Sequence, residues 1–180
     1  MRVIAGEFRS RVLKTLPGLD VRPTPDRLRE SLFNILAPRM AGIVFLDAYA
    51  GTGSVGIEAL SRGARHVIFI ERSRSAALVI HENLKSLRAE AQAEVVQNKS
   101  AAVLSRYRAD VVFLDPPYHL DKEYDAALEA LGEAPPPLVI VQHDKHKTLP
   151  ERIGKLHQSR VVRQGDNCLT FYEPEEAGVE

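Results

Sequence analysis

The stretch Ile43-Val44-Phe45-Leu46-Asp47-Ala48-Tyr49-Ala50-Gly51-Thr52-Gly53-Ser54-Val55-Gly56 decides the fold. Its first four residues are continuously apolar, the mark of a buried strand. Asp47 ends that strand. Gly51, Gly53 and Gly56 then allow a tight turn and a close approach of a ligand to the backbone. Residues 54–62 read as a helix that Gly63 ends. Residues 67–70 repeat the buried-strand pattern, and Glu71 follows them. Strand, glycine loop, helix and strand in this order form a parallel βαβ unit.

The alternation continues outward. Ser73 caps a long helix whose Ala76, Ala77, Ile80, Leu84 and Leu87 share one face. Further strands are predicted at 94–96, 111–114 and 138–141, with a helix at 124–131 and a rigid Pro135-Pro136-Pro137 between the last two. Segments 160–163 and 168–172 flank Gly165-Asp166-Asn167 and read as a terminal hairpin. Toward the N-terminus, Thr24-Pro25-Asp26 reads as a helix start, with threonine at the cap and proline in the first position. Leu28, Leu32, Ile35 and Leu36 give that helix one apolar face, and Pro38 closes it. Residues 2–13 alternate loosely, as short strands or a hairpin carrying arginines, and Pro17-Gly18 is a turn signal. The pattern predicts an α/β fold: a doubly wound, mostly parallel sheet of seven strands, with a C-terminal antiparallel hairpin and a small N-terminal β-hairpin extension. The expected division is a basic extension over 1–22 and a main domain over 23–180. Ligands of such folds sit outside the carboxyl ends of the strands.

The chain has 180 residues, 44% hydrophobic and 27% charged, which suits one globular domain and neither a disordered nor a membrane class. No apolar stretch approaches the length of a membrane span. A lone Cys168 rules out an internal disulfide or a cysteine-cluster zinc site, and a reducing, cytoplasmic setting fits. Formal net charge is zero. The first thirty residues nevertheless carry Arg2, Arg9, Arg11, Lys14, Arg22, Arg27 and Arg29, while the tail after Tyr172 holds four glutamates and no base. Taken alone, this distribution reads first as scattered solvated charge and second as a phosphate-facing surface at one end.

A second run carries the chemistry. Val111-Val112-Phe113-Leu114 is a buried strand, and Asp115-Pro116-Pro117-Tyr118 ends it. Prolines cannot continue a ladder and fix their own φ. The corner therefore holds one carboxylate, one carbonyl and one ring in a fixed relation. Such a corner suits a planar base with an exocyclic amine: acceptors for the amine and a flat face for the ring. Without a second motif, the same run also reads as an ordinary strand ending in a proline turn.

The loop after Leu46 spells G-x-G-x-x-G, with an acid about twenty residues on, which is also the dinucleotide fingerprint. A nicotinamide dehydrogenase is thus a competing reading. Asp47 argues against it, because a carboxylate at the strand end opposes a pyrophosphate resting on the helix N-terminus. It suits instead a ligand with an amino group and no phosphate, as S-adenosylmethionine is. Asp47 also reads as a structural loop cap. Glu71 is placed to accept the hydroxyls of a ribose.

The residues 47–56, Glu71 and the D-P-P-Y corner together resemble the class I S-adenosylmethionine-dependent methyltransferases with a Rossmann-like fold that modify exocyclic amines. Arg2-Val3-Ile4-Ala5-Gly6, the run from Arg22 to Leu36 (RPTPDRLRESLFNIL) and Gly56-Ile57-Glu58-Ala59-Leu60-Ser61-Arg62-Gly63-Ala64 are similar to the bacterial 16S ribosomal RNA guanine-N2 methyltransferases of the RsmD type. The resemblance runs from Arg2 to about Tyr172. It implies methyl transfer from S-adenosylmethionine, leaving S-adenosylhomocysteine, to the N2 amine of one guanine of 16S rRNA, position 966 in the customary numbering. It implies Asp115, Pro116 and Tyr118 as catalytic residues. Asp47, Ala48, Tyr49, Ala50, Gly51, Thr52, Gly53, Glu71, Arg72, Ser100 and Asp115 are implied at the donor. Arg2, Arg9, Arg11, Arg22, Thr24, Arg27, Pro117 and Tyr118 are the candidates for the RNA. One departure stands out. The loop after the third strand, Asn98-Lys99-Ser100-Ala101, lacks the acid often used to read the adenine amine, which leaves Ser100, Asn98 or backbone groups for that task.

A guanine N2 amine is a poor nucleophile because its lone pair is delocalised into the ring. Asp115 and the Pro116 carbonyl are expected to accept one amine hydrogen each and to aim the nitrogen at the sulfonium methyl, with Tyr118 stacked on the base. Such positioning supplies on the order of 7 kcal/mol or more in favourable cases. No metal is needed for this chemistry, since the sulfonium already carries the leaving group. The expected partner is 16S rRNA or an assembling 30S subunit, with no membrane, and the expected state is a monomer. A DNA adenine or cytosine amino-methyltransferase would share the core motifs. A non-catalytic RNA-binding module is a further alternative, disfavoured by the intact corner beside an intact loop.

Overall fold

The computed structural model describes residues 1–17 and 24–175. Arg22 and Gly18, assigned above to the RNA and to a turn, lie outside the described residues. The parallel half of the sheet forms from the apolar runs: β1 (Val44–Asp47), β2 (His66–Ile70), β3 (Ala93–Val96), β4 (Val111–Leu114) and β5 (Leu138–Asp144). Three further strands are antiparallel: β6 (Arg152–Ile153), β7 (Leu156–Gln164) and β8 (Asn167–Pro174). All eight join one sheet in the order β3-β2-β1-β4-β5-β8-β7-β6. Seven strands were expected. The eighth is the two-residue β6, which pairs Arg152 with His157 and Ile153 with Leu156 through a reversal at Gly154. The hairpin strands and β5 also run longer than the apolar pattern, because β8 pairs with β5 from Val139 to Asp144 and gives its polar end a ladder to join.

Among the described residues, five α-helices cover the sheet: α1 (Asp26–Leu36), α2 (Ser54–Ser61), α3 (Arg74–Leu87), the short α4 (Ser100–Val103) and α5 (Asp121–Gly132). The Ser73 hydroxyl caps α3 by accepting from the Ala76 amide at 3.3 Å, as its sequence signal predicts. The expected cap of α1 is corrected. Pro25, not Thr24, is the cap residue, and no side chain caps the helix. Thr24 is buried, and its hydroxyl turns inward to Gln142 instead.

Alternation along the strands sorts the core into two layers. Phe45, Phe69 and Phe113 pack with Leu28, Leu32 and Phe33 of α1, Ile57 of α2 and Ile80 and Leu84 of α3. Leu46, Ile68, Val112 and Leu114 point the other way, onto Tyr124, Leu128 and Leu131 of α5. Burial of each such side chain contributes roughly 1.5–3 kcal/mol. Gly56 lets α2 lie directly on β2: a Cβ there would sit 2.3 Å from Cε1 of Phe69. That is the packing role of the third glycine in the loop motif.

The N-terminal hairpin expectation is corrected in detail. A single antiparallel bridge joins Arg2 to Val12. The segment is anchored by side chains of the helices beneath it. Val3, Phe8 and Leu13 enter the same core layer as α1, α2 and α3. The buried Glu58 carboxylate accepts from the amides of Ile4 at 2.9 Å and Ala5 at 3.0 Å, and from Arg62 Nε at 2.8 Å. The Ser61 hydroxyl accepts from the Phe8 amide and donates to the Ala5 carbonyl. Arg29, fully buried, donates to the Arg2 carbonyl at 2.8 Å and to Asp26 at 3.1 Å. Among the described residues, no helix is long and apolar enough to cross a membrane.

Candidate active site

The strand order reverses direction between β1 and β4, so the chain leaves a crevice at their carboxyl ends. Register sets the chemistry there. Asp47 pairs with Phe113, and Asp115 lies two residues further along the same face. The two acids of the two sequence motifs are thereby brought to one place. The loop between β1 and α2 is held by its own backbone: Ala50 N–H donates to Ile70 O at 3.0 Å and Gly53 N–H to Ala50 O at 2.8 Å. Gly53 has φ of 90°, a conformation that favours glycine. Glu71 steadies the turn, its Oε2 accepting from the Gly51 amide and its Oε1 from the Ser73 amide, both at 2.8 Å.

Two adjoining cavities open at this edge. The larger, about 470 Å³, takes Glu71, Arg72 and Ser100 on one side and Asp115, Pro116, Pro117 and Tyr118 on the other. The smaller, about 290 Å³, lies under the N-terminal segment and takes Thr24, Asp47, Ala50 and Thr52. Tyr49, Gly51 and Asp115 line both. Ala48 and Gly53 line neither. Ala48 is buried, with its amide on Phe113 O and its carbonyl accepting the Ser100 hydroxyl, so both act on the loop's shape. Ser100 thus spends its hydroxyl proton on a brace between β1 and α4. Arg2, Arg9, Arg11 and Arg27 line neither cavity and are exposed on the N-terminal segment and α1. Arg2 Nη1 donates to Ser10 O at 2.9 Å, and Arg11 Nη2 to Ser86 O at 2.7 Å at the end of α3.

The electrostatics of the crevice are unusual for two aspartates. Asp47 is buried, and loss of water pushes its pKa up to about 7; the Gly56 N–H, at 2.9 Å, opposes the shift, and Glu71 adds to it. Asp115 is pushed up to about 8, first by withdrawal from water and then by the charge of Asp47. A pair of acids so placed favours a cation between them. Tyr49 closes one wall by donating to Glu123 Oε2 at 3.1 Å. The Tyr124 hydroxyl stands within 3.2 Å of the Pro116 carbonyl and 3.3 Å of the Gln142 carbonyl, which fixes the proline corner from behind.

Several residues that shape the site escape local sequence reading. Tyr124 reads only as an apolar helix position. Gln142 follows Val139-Ile140-Val141 and reads as the end of a strand. Asn167 reads as a turn residue. Asn83 sits in mid-helix, yet it accepts from the Lys14 amide at 2.8 Å and donates to the Lys14 and Thr52 carbonyls, each at 3.1 Å. It fastens the N-terminal segment to the glycine loop. The only advance signal for Gln142 and Asn167 is their position at strand ends on the ligand-binding edge.

Comparison with known proteins shows the family. The family model described as Conserved hypothetical protein 95 matches residues 1–173. Ribosomal RNA small subunit methyltransferase D of Haemophilus influenzae is 40% identical over 158 residues, covering 83% of this chain and 81% of its own. The Escherichia coli K12 protein of the same name is 35% identical over 185 residues, 99% of this chain and 92% of its own. The solved structure of Escherichia coli yhhF superposes with a TM-score of 0.84 at 31% identity, covering 97% of this chain and 98% of that one. A match over nearly the whole length makes this chain a methyltransferase of the Conserved hypothetical protein 95 family, the RsmD family.

Proposed function

We propose that the protein transfers a methyl group from S-adenosylmethionine to the exocyclic N2 amine of one guanine in 16S rRNA, the nucleotide at position 966 in the customary numbering. The observation that carries this reading is one cavity that runs from Glu71 to the D-P-P-Y corner and adjoins a second, lined by Asp47 and the glycine loop, with Asp115 lining both. The residues fit the donor. A nucleoside-sized cavity ends at Glu71, whose carboxylate is already oriented by two backbone amides and has lone pairs left for a ribose diol. Asp47 and Asp115 supply negative potential where the donor carries positive charge. S-adenosylmethionine supplies an activated methyl group and leaves as S-adenosylhomocysteine.

The chain's own work is to hold and to orient. Asp115 and the Pro116 carbonyl accept the two amine hydrogens, and Tyr124 keeps that carbonyl in place. As the nitrogen–methyl bond forms and the methyl–sulfur bond breaks, the surplus proton on nitrogen passes to Asp115 or to water. A cation beside the two acids lowers both pKa values, which returns Asp115 to the carboxylate that accepts a hydrogen bond. Pro117 and Tyr118 present the flat face for a base removed from its stack. Residues 1–22 form the RNA-facing extension of the 23–180 domain, with Arg2, Arg9, Arg11, Arg22 and Arg27 on phosphates and Thr24 in the wall of the smaller cavity. The enzyme acts as a monomer in the cytoplasm, on rRNA or the assembling small subunit.

The test is transfer of labelled methyl from the donor to 16S rRNA, free and in 30S particles, with nucleoside analysis of the product. N2-methylguanosine at one position supports the reading. Label in N6-methyladenosine, or in DNA only, overturns it.

A further inference from the structure

The tyrosine of the D-P-P-Y corner is held in a way its motif does not require. The Tyr118 hydroxyl donates to Asn167 Oδ1 at 2.7 Å and accepts from Gln142 Nε2 at 3.3 Å. Gln142 Oε1 accepts from the Thr24 hydroxyl at 3.3 Å, and the Gln142 backbone carbonyl meets the Tyr124 hydroxyl. Gln142 is 2% exposed, a carboxamide directly after the four apolar residues that open β5. A polar group buried there is costly unless paired, and its pairing spans the residue before the α1 cap, the proline corner and α5. Asn167 opens β8, directly after the turn whose Asp166 is tied to Lys145 by an ion pair at 2.5 Å and by a backbone bond at 2.9 Å. The C-terminal hairpin therefore reaches back into the crevice. Both carboxamides line the same cavity as Asp115.

We propose that Gln142 and Asn167 are positioning residues for the methyl transfer, gripping the Tyr118 hydroxyl from two sides so that the ring face meets the target base beside Asp115. The proposal rests on the methyl-transfer reading of the crevice. A tyrosine bonded at its hydroxyl by two anchored carboxamides loses rotation about both side-chain torsions before substrate arrives, so the stacking surface is preorganised. The hairpin is then part of the site and not only its cover.

Asn167→Ala and Gln142→Leu are compared with Tyr118→Phe and with both double variants. Each single variant is expected to lower kcat on 30S particles about ten- to a hundredfold, the scale of small misplacements in a reacting pair. KM for the RNA is expected to move less than about twofold, because phosphate contacts elsewhere dominate binding. Donor affinity by calorimetry is expected to stay at the parental value. In the Tyr118→Phe background neither substitution should cause a further loss, since the group they act through is gone. Losses that multiply in the double variants, or single variants at the parental kcat, overturn the proposal. Loss of donor affinity in both single variants assigns the carboxamides a role in folding and overturns it equally. Crystal structures of the parent and Asn167→Ala separate this proposal from the function it rests on. A ring displaced only in the variant supports the grip even where the parent methylates no RNA, and an unmoved ring overturns it even where methylation proceeds.

Discussion

The glycine loop and the N-terminal segment both adjoin α2 and are held by different means. The loop satisfies its backbone largely from within and from β2, through bonds such as Ala50 N–H to Ile70 O, and its glycines allow the required turns. Among its described residues the N-terminal segment has one bridge, with Val3 N–H on Arg11 O, Ser10 N–H on Val3 O and Leu13 N–H on Met1 O around it. It also borrows acceptors from helices: Glu58 and Ser61 of α2, Asn83 of α3. Glycine turns and neighbouring strands shape the first region, and Glu71 and Asp47 brace it. The second depends on a few buried polar groups, and each is a point of failure. Asn83 is where the two schemes meet, since it bonds Lys14 and Thr52 together.

The largest expected effect tests the crevice alone. Asp115→Ala removes the acceptor on the reacting amine and is expected to lower methyl transfer by at least the 10²–10³ typical of one preorganised electrostatic contact. Donor binding, measured by calorimetry, should largely survive. Transfer near the parental rate would mean that the corner does not orient the amine.

Next comes the other region. Glu58→Ala leaves the Ile4 and Ala5 amides without their acceptor and the buried Arg29 with one less compensating charge. Breaking such a buried pair costs about 3–5 kcal/mol. Denaturant unfolding is the measurement, with limited proteolysis expected to cut within residues 1–14 first. If the variant unfolds at the parental midpoint, the segment is held by its apolar residues alone.

A smaller effect follows from the acids. Asp47 and Asp115 are held at about 7 and about 8, above the unfolded carboxylate value, so the folded protein keeps protons that the unfolded chain has released. Stability from this source is full below pH of about 4 and is lost as pH rises through 7 to 8. The melting temperature of the donor-free protein should fall across that window. Asp47→Asn should flatten the fall, and saturating donor should do the same. A melting temperature that climbs from pH 6 to 9 would contradict the buried pair.

The smallest change concerns the exposed arginines. Replacing Arg9 and Arg11 by alanine should leave folding intact and reduce the slope of log affinity for RNA against log salt by about one to two. An unaltered slope would remove the segment from the RNA interface.

What sequence could and could not reveal divides along the same line. β1, β2 and β4 are continuous apolar runs, and the cap at Ser73 and the corner at Asp115 are local signals. Each is legible because its cause lies within a few residues. Thr24 failed as a cap because its partner, Gln142, is distant in sequence and only the fold brings it near. β5 was cut short at Val141 because its polar end is stabilised by β8, a pairing that no periodicity announces. Glu58 and Asn83 look like solvated helix positions until the N-terminal segment covers them. The nearness of Asp47 to Asp115 follows from β1 and β4 being neighbours, which is a fact of topology and not of spacing.

The sheet ends in β3, four residues long with Glu94 exposed, and in β6, two residues long with Arg152 exposed. A rim of unpaired amides and carbonyls is a template on which a second chain can add a strand and begin a fibre. The β3 rim is short and charged, and β6 covers only Leu156 and His157 of β7, whose remaining outer edge carries the exposed Arg160 and Arg163. An enzyme that keeps an open eight-stranded sheet therefore offers little purchase for self-association, and concentrated solutions should stay clear where a longer, uncharged border would seed aggregates.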